Sequence, residues 1–210
     1  YNFKSTRSVT LEMMIRHSKS VRQGIADSLM VVDMPYNTYN KPSQALKNCK
    51  KVMKLTKCDG LKIEGGLKKI KIIKHLIKNK IPVMGHLGIL PQSTKGKFKS
   101  KGKSIKERNE LIRDCKILED AGVFSIVLEC VESKLARHIT NLIKIPTIGI
   151  GSSNNCDGQI LVIDDILGLT ESKMKFVKKY ANVKKIIAFG AKKFKKEVKS
   201  RKFPSQKHSY

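Results

Sequence analysis

The chain has 210 residues, 40% hydrophobic and 29% charged, which is enough apolar material for one sizeable core and too little low-complexity sequence for a disordered protein. Its formal charge is +27, yet 37 of its 44 basic residues are Lys and Trp is absent; without the Arg forks and stacking aromatics of a dedicated nucleic-acid reader, the lysine excess reads as the composition bias of an AT-rich genome. Five cysteines with no Cys-x-x-Cys pair signal neither a disulfide framework nor a zinc site and fit a reducing cytosol, while no apolar run nears the ~18 residues of a membrane span and no signal-peptide pattern opens the chain.

In chain order, the pattern predicts a helix over 9–23, a strand at 28–32, a helix over 43–57 and a strand at 60–63. A helix over 67–79 and a strand at 81–84 follow. The next helix, 104–120, is the best marked: Ser104 and Glu107 form a capping-box pattern, Leu111, Ile112, Cys115 and Leu118 recur at helical spacing, and Ala121-Gly122 supplies a stop. Strands at 123–128, 145–150 and 159–163 alternate with helices at 132–143 and 171–180. Beyond about Tyr180, the spaced apolar residues Ile186, Ile187, Phe189 and Phe194 predict a terminal helix, fraying from Lys199. The expected organisation is one barrel domain over 1–198 and a C-terminal tail over 199–210.

Strands alternating with helices form crossover units and a parallel sheet, either open and doubly wound or closed into a barrel. Asp33, Glu64, His86, Glu129 and Gly151 each follow a predicted strand or stand at its end. Unusual residues at the carboxyl ends of the strands are the signature of a (β/α)₈ barrel. Such a barrel has eight strands and typically ~250 residues, so this chain, with its six predicted strands, is expected to lack the first two βα units.

Three carboxylates converging on one rim are costly to bury unless a cation neutralises them, and Mg²⁺ takes carboxylate and water oxygens. Asp33, Glu64 and Glu129 are therefore candidates for a metal or acid/base site, with helix capping or structural ion pairing as the plain alternative. Lys62 shares a face with Glu64 if 60–64 is extended, and either suits an anionic substrate or pairs with Glu64 for structure alone. His86 is the only His set at a strand end; it is either functional or a hydrogen-bonded core residue. Gly149-Ile-Gly151 lacks the third glycine of a dinucleotide fingerprint. The stretch 96–104 has one residue too many for a Walker P-loop and reads instead as a basic loop over the barrel mouth, able to attract an anionic ligand such as a polyglutamylated cofactor.

The segments Asp33-Met-Pro35, Lys62-Ile-Glu-Gly-Gly66, Gly85-His-Leu-Gly-Ile-Leu-Pro-Gln-Ser93, Leu128-Glu-Cys-Val131, Ile145-Pro-Thr-Ile-Gly-Ile-Gly151 and Asp157-Gly-Gln-Ile-Leu-Val162, in this order and spacing, closely resemble the ketopantoate hydroxymethyltransferase family. The match spans roughly 5–180, and the Phe203-Pro204 to His208-Ser209 ending also looks like the family's. The resemblance implies a (β/α)₈ TIM barrel of the phosphoenolpyruvate/pyruvate superfamily, usually a homodecamer, using Mg²⁺ and 5,10-methylenetetrahydrofolate to act on a small 2-oxo acid. Carried over by position, Asp33 would ligand the metal and contact the keto acid, Glu64 would belong to the metal site, Lys62 would hold the substrate, His86 would line the pocket and Glu129 would accept the proton. Two departures stand out. No Gly-Asp-Ser, the family's other metal-binding segment, precedes Asp33, and Ser152-Ser153 replaces the more usual Ala-Gly. The isolated chain is accordingly expected to turn over poorly until an upstream segment with Gly-Asp-Ser is restored. The contrasting readings are a related barrel enzyme acting on another 2-oxo acid, an inactive fragment, and a non-enzymatic anion binder with a Lys-rich surface.

Overall fold

Most of the helices begin where a side chain or a proline meets the unpaired amides of a first turn. In the computed structural model, which describes residues 3, 5–93, 99–172 and 174–210, Thr10 accepts from the Met13 N–H at 3.2 Å to open α1 (Leu11–Gly24). Pro42 stands at the first position of α2 (Pro42–Thr56), and Lys57 closes that helix in a left-handed conformation. α3 (Ile70–Lys78) follows a short 3₁₀ turn at Leu67–Lys69. Ser104 caps α4 (Ile105–Asp120), as its capping-box pattern predicts. Glu107, however, reaches back to the N–H groups of Gly102 and Lys103, at 3.1 and 3.2 Å, instead of closing on Ser104 itself. Glu132 caps α5 (Ser133–Leu142) with bonds from the Lys134 and Leu135 N–H groups at 3.2 and 3.0 Å.

Between these helices run β1 (Val31–Asp33), β2 (Gly60–Glu64), β3 (Val83–Gly88), β4 (Ser125–Glu129), β5 (Thr147–Ile150) and β6 (Gly158–Gln159). They form one six-stranded sheet in the order β1-β2-β3-β4-β5-β6, parallel throughout. Its register pairs Asp33 with Lys62, Glu64 with His86 and Gly88 with Glu129. Leu61, Ile63, Ile126 and Leu128 of the sheet are fully buried, as are Cys49 and Val52 of α2, Ile73 and Leu76 of α3, Cys115 and Leu118 of α4, and Ile139 of α5. All five cysteines are free and buried. A parallel sheet covered by crossover helices reads as near-continuous apolar runs, and here Asp33, Glu64, His86 and Glu129 interrupt those runs toward their carboxyl ends.

By internal contacts the chain divides into two units, Tyr1–Ile160 and Leu161–Tyr210. The second holds α6 (Ile163–Ile166) and α7 (Val183–Lys199). The helix expected at 171–180 does not form among the described residues. Its lysine and apolar spacing suits a helix, but the N–H groups of Tyr180 and Ala181 both bond the Ile166 carbonyl, at 2.9 and 3.2 Å, so the chain folds back on α6. Of the strand expected at 159–163 only Gln159, the last residue of β6, is in the sheet, because after the Ile160 N–H bonds Gly149 O at 3.0 Å the chain turns into α6. The end expected to fray from Lys199 is ordered by local contacts: the Lys202 N–H bonds Glu197 O at 2.9 Å and the Phe203 ring meets Phe194 edge-on at 5.4 Å. Of the basic loop at 96–104, residues 96–98 lie outside the described residues.

Candidate active site

At the carboxyl ends of β1 to β4 the side chains of Asp33, Lys62, Glu64, His86 and Glu129 come together. Lys62 Nζ stands 2.9 Å from Asp33 Oδ2 and 3.1 Å from His86 Nδ1. On its other side the His86 ring places Nε2 3.1 Å from Glu129 Oε2, while Glu64 Oε1 lies 3.8 Å from Nδ1. Every candidate from the sequence is therefore in one connected group spread over four strands.

The contacts fix the state of His86. Burial pushes its pKa below the ordinary value, although Glu129 pulls the other way, and an ammonium can only donate, so Nδ1 must accept from Lys62. The remaining ring proton then sits on Nε2, facing Glu129. The 3.1 Å approach to Glu129 lacks the alignment of a full hydrogen bond, which leaves the carboxylate's other lone pairs open to a substrate. Glu64 is almost wholly buried, and that burial, partly opposed by Lys62 and reinforced by Asp33, raises its pKa to about 7.

Two further residues escaped the sequence reading. Gln92 is buried in the loop after β3, and its N–H donates to Glu64 Oε2 at 3.1 Å. Its side-chain amide joins Met34 O at 2.9 Å and Tyr39 Oη at 2.8 Å. Gln92 falls inside the Pro-Gln-Ser part of a quoted motif, but a lone Gln in a loop carries no periodicity that would announce its burial. Ser152, at one of the departures from the family pattern, donates to Leu128 O at 2.8 Å and accepts from the Val131 N–H at 3.0 Å, clasping the backbone on both sides of Glu129. A cavity of about 600 Å³, lined in part by Leu67, Leu111, Lys101 and Arg113, meets the group only at Glu64.

The donor set suits Mg²⁺. Asp33 Oδ1 is a buried acceptor with no hydrogen-bond partner, and Glu64 is an almost wholly buried carboxylate beside it at the rim. Two carboxylates suit Mg²⁺, which keeps several waters and binds through one or two carboxylates together with substrate oxygens. Among the described residues no three His, Cys, Asp or Glu side chains surround a common point, so these residues fit a cation held partly by water and substrate and not an all-protein cage. Among the described residues, too, no helix is long and apolar enough to cross a membrane.

The family model described as ketopantoate hydroxymethyltransferase matches residues 1–206. The 3-methyl-2-oxobutanoate hydroxymethyltransferase of Pelagibacter ubique strain HTCC1062 is 63% identical over 210 residues, covering 100% of this chain and 81% of that protein. The protein of the same name from Clostridium botulinum strain 657 is 45% identical over 212 residues, covering 99% of this chain and 77% of its own length. Among solved structures, 2,3-dimethylmalate lyase, a member of the PEP mutase/isocitrate lyase superfamily, superposes with a TM-score of 0.55 at 14% identity, over 92% of this chain and 68% of that one. Phosphoenolpyruvate phosphomutase from Streptomyces platensis gives 0.53 at 10% identity, over 93% and 70%. These distant structures speak to the fold alone, and with the six-stranded parallel sheet they make it TIM-barrel-like.

Proposed function

The chain belongs to the ketopantoate hydroxymethyltransferase family, and from that premise we propose that the strand-end group around His86 carries the family's reaction. The activity is hydroxymethyl transfer to 3-methyl-2-oxobutanoate in pantothenate biosynthesis, and the finer assignments that follow are our reading of the site. The observation that carries them is the continuous run of contacts from Asp33 through Lys62 and His86 to Glu129.

Lys62 holds the anionic end of the keto acid, its ammonium already oriented by Asp33 and His86. Glu129, beside the neutral His86 ring, accepts the proton from C3 of the substrate, and the electron pair of the broken C–H bond moves into the C2–C3 bond and on to the keto oxygen. Water adds to the one-carbon unit of 5,10-methylenetetrahydrofolate, both of its carbon–nitrogen bonds break to release tetrahydrofolate, and the nucleophilic C3 bonds to that carbon, whose oxygen takes up the proton given to Glu129 and becomes the hydroxyl of 2-dehydropantoate. Asp33 and Glu64 would hold Mg²⁺, which supplies Lewis-acid charge to the keto oxygen when bound. His86 keeps Glu129 facing the substrate, and with 19% of its side chain exposed the base is partly stripped of water.

We also read the six strands as the last six of an eight-stranded barrel, since the chain aligns to 81% of the Pelagibacter protein and a complete barrel takes ~250 residues. By family resemblance we further propose that the protein is a cytoplasmic homo-oligomer, a decamer, and from its lysine-dominated charge that it has no specific nucleic-acid partner. The test is deuterium exchange at C3 of 3-methyl-2-oxobutanoate in D₂O, with Mg²⁺ and without folate, using the chain joined to an upstream segment that carries Gly-Asp-Ser. Exchange that requires Mg²⁺ but not folate is expected. A protein that leaves C3 unexchanged until folate is added would overturn the order of steps, and one that never exchanges it would overturn the site assignment.

A further inference from the structure

We propose that Gln92 is a positioning residue that holds the Asp33 and Glu64 carboxylates at the separation a shared divalent cation needs. This deepens the reading of those two residues as cation ligands and rests on it.

From the loop after β3, Gln92 reaches both the segment that follows β1 and the end of β2. Its backbone N–H donates to Glu64 Oε2 at 3.1 Å, its Nε2 donates to Met34 O at 2.9 Å, and its Oε1 accepts from Tyr39 Oη at 2.8 Å. The amide cannot be turned round. Met34 O can only accept, so the NH₂ must face it, and Oε1 is left for Tyr39, which must donate. Burial, reinforced by the charges of Glu64 and Asp33, raises the Tyr39 pKa well above its ordinary value and keeps that proton in place.

Met34 directly follows Asp33 and is itself fully buried. Its N–H bonds Lys62 O on β2 at 3.1 Å, while its C=O is taken by Gln92. Met34, the residue that carries the chain on from Asp33, is thus gripped at both of its backbone polar groups. Glu64 is gripped by the same residue through its backbone N–H. Gln92 spends its side-chain amide on these partners and touches none of the groups assigned to substrate, so its effect on the reaction must pass through Asp33 and Glu64. Removing the amide strands a buried carbonyl and a buried hydroxyl, and such groups move to find new partners.

The test titrates Mn²⁺, a hard divalent probe that suits carboxylate and water ligands, into the metal-free protein carrying the upstream segment. Free Mn²⁺ is read by electron spin resonance, well below the melting temperature of each variant. Gln92→Met keeps the length of the side chain and is expected to weaken Mn²⁺ binding by about 10- to 100-fold, the usual worth of a partner that orients a metal ligand. It should regain the wild-type rate of C3 exchange once Mn²⁺ is saturating. Tyr39→Phe removes one neutral hydrogen bond and should weaken binding by about 2- to 12-fold; it decides the question if Gln92→Met does not fold. Unchanged Mn²⁺ affinity, or exchange that stays low at saturating Mn²⁺, overturns the role of Gln92. Wild-type protein that holds no Mn²⁺ overturns the assignment of Asp33 and Glu64, and this inference falls with it.

Discussion

Two lysine–carboxylate pairs of nearly equal length stand in different surroundings. Lys62 meets Asp33 at 2.9 Å on the rim of the sheet, and Lys51 meets Glu12 at 3.2 Å on the outer faces of α2 and α1. The lysine of the first pair has only 17% of its side chain exposed, against 48% for the second. On the outer surface water can replace either partner, and pairs of that kind contribute little. At the rim each charge has been partly stripped of water, so it leans on the next group in line: Asp33 on Lys62, Lys62 on His86, His86 on Glu129. In this chain of +27, function follows from where a charge is buried and what answers it, far more than from how many charges there are.

The sharpest way to probe that contrast is Glu129→Gln, which preserves size and removes the proton acceptor. Deuterium exchange at C3 of 3-methyl-2-oxobutanoate should fall by about 10²–10⁴-fold while Mg²⁺ binding stays near normal, the usual worth of a positioned general base. A variant that exchanges at the wild-type rate, or that fails mainly by losing metal, would move the base elsewhere.

Next comes the backbone that carries the rim. Gly88 sits at φ +97°, and a Cβ there would lie 2.1 Å from Glu129 O. Gly88→Ala should cost about 1–3 kcal/mol in backbone strain alone, lowering the melting temperature by roughly 2–4 °C per kcal/mol in a chain of this size. A melting curve indistinguishable from wild type would show that the β3–β4 edge yields more easily than its geometry implies.

Glu132 lies between the two extremes: a near-surface carboxylate with fixed backbone partners. Burial alone would raise its pKa, but the Lys134 and Leu135 N–H groups and the Arg108 charge outweigh that and hold it below the usual carboxylate range. Its ionised form therefore adds stability that is present above the unfolded-state pKa and lost as pH falls through the lower folded value. Glu132→Gln should lower stability at neutral pH by about 0.5–2 kcal/mol, as expected for loss of a helix cap, and the deficit should vanish under acid. A deficit that persists at low pH would assign the effect to packing. Smallest of all, Lys51→Gln should shift the melting temperature by less than about 2 °C, and a larger shift would erase the distinction between the two pairs.

The sequence carried much of this arrangement because the relevant signals are local. Apolar runs ending in Asp33, Glu64 and Glu129 mark both a strand and its carboxyl end, and the Ser104–Glu107 pattern marks the start of α4. The failures share a cause. At 171–180 a helical spacing was overruled by amides drawn to the Ile166 carbonyl, and at 159–163 an apolar run was taken from the sheet by the turn into α6. Gln92 and Tyr39 act through partners 53 and 58 residues apart in the chain, and no short window contains such a relation.

The pairing of the strands carries a last consequence, for how the chain can change in length. Asp33 and Lys62 lie in one hydrogen-bonded row, Glu64 and His86 in the row two residues further on, and Gly88 and Glu129 in the row two beyond that. The reactive groups thus climb a staircase across the sheet, and because every tread is an even number of residues deep, all of them look the same way. A single inserted or deleted residue within β2 or β3 would make one tread odd and turn Glu64 or His86 from the rim into the helical layer. Substitutions at the rim can be graded in strength, but a one-residue length change there has no mild form, so the strand interiors should tolerate indels far less than the exposed bend at 26–29.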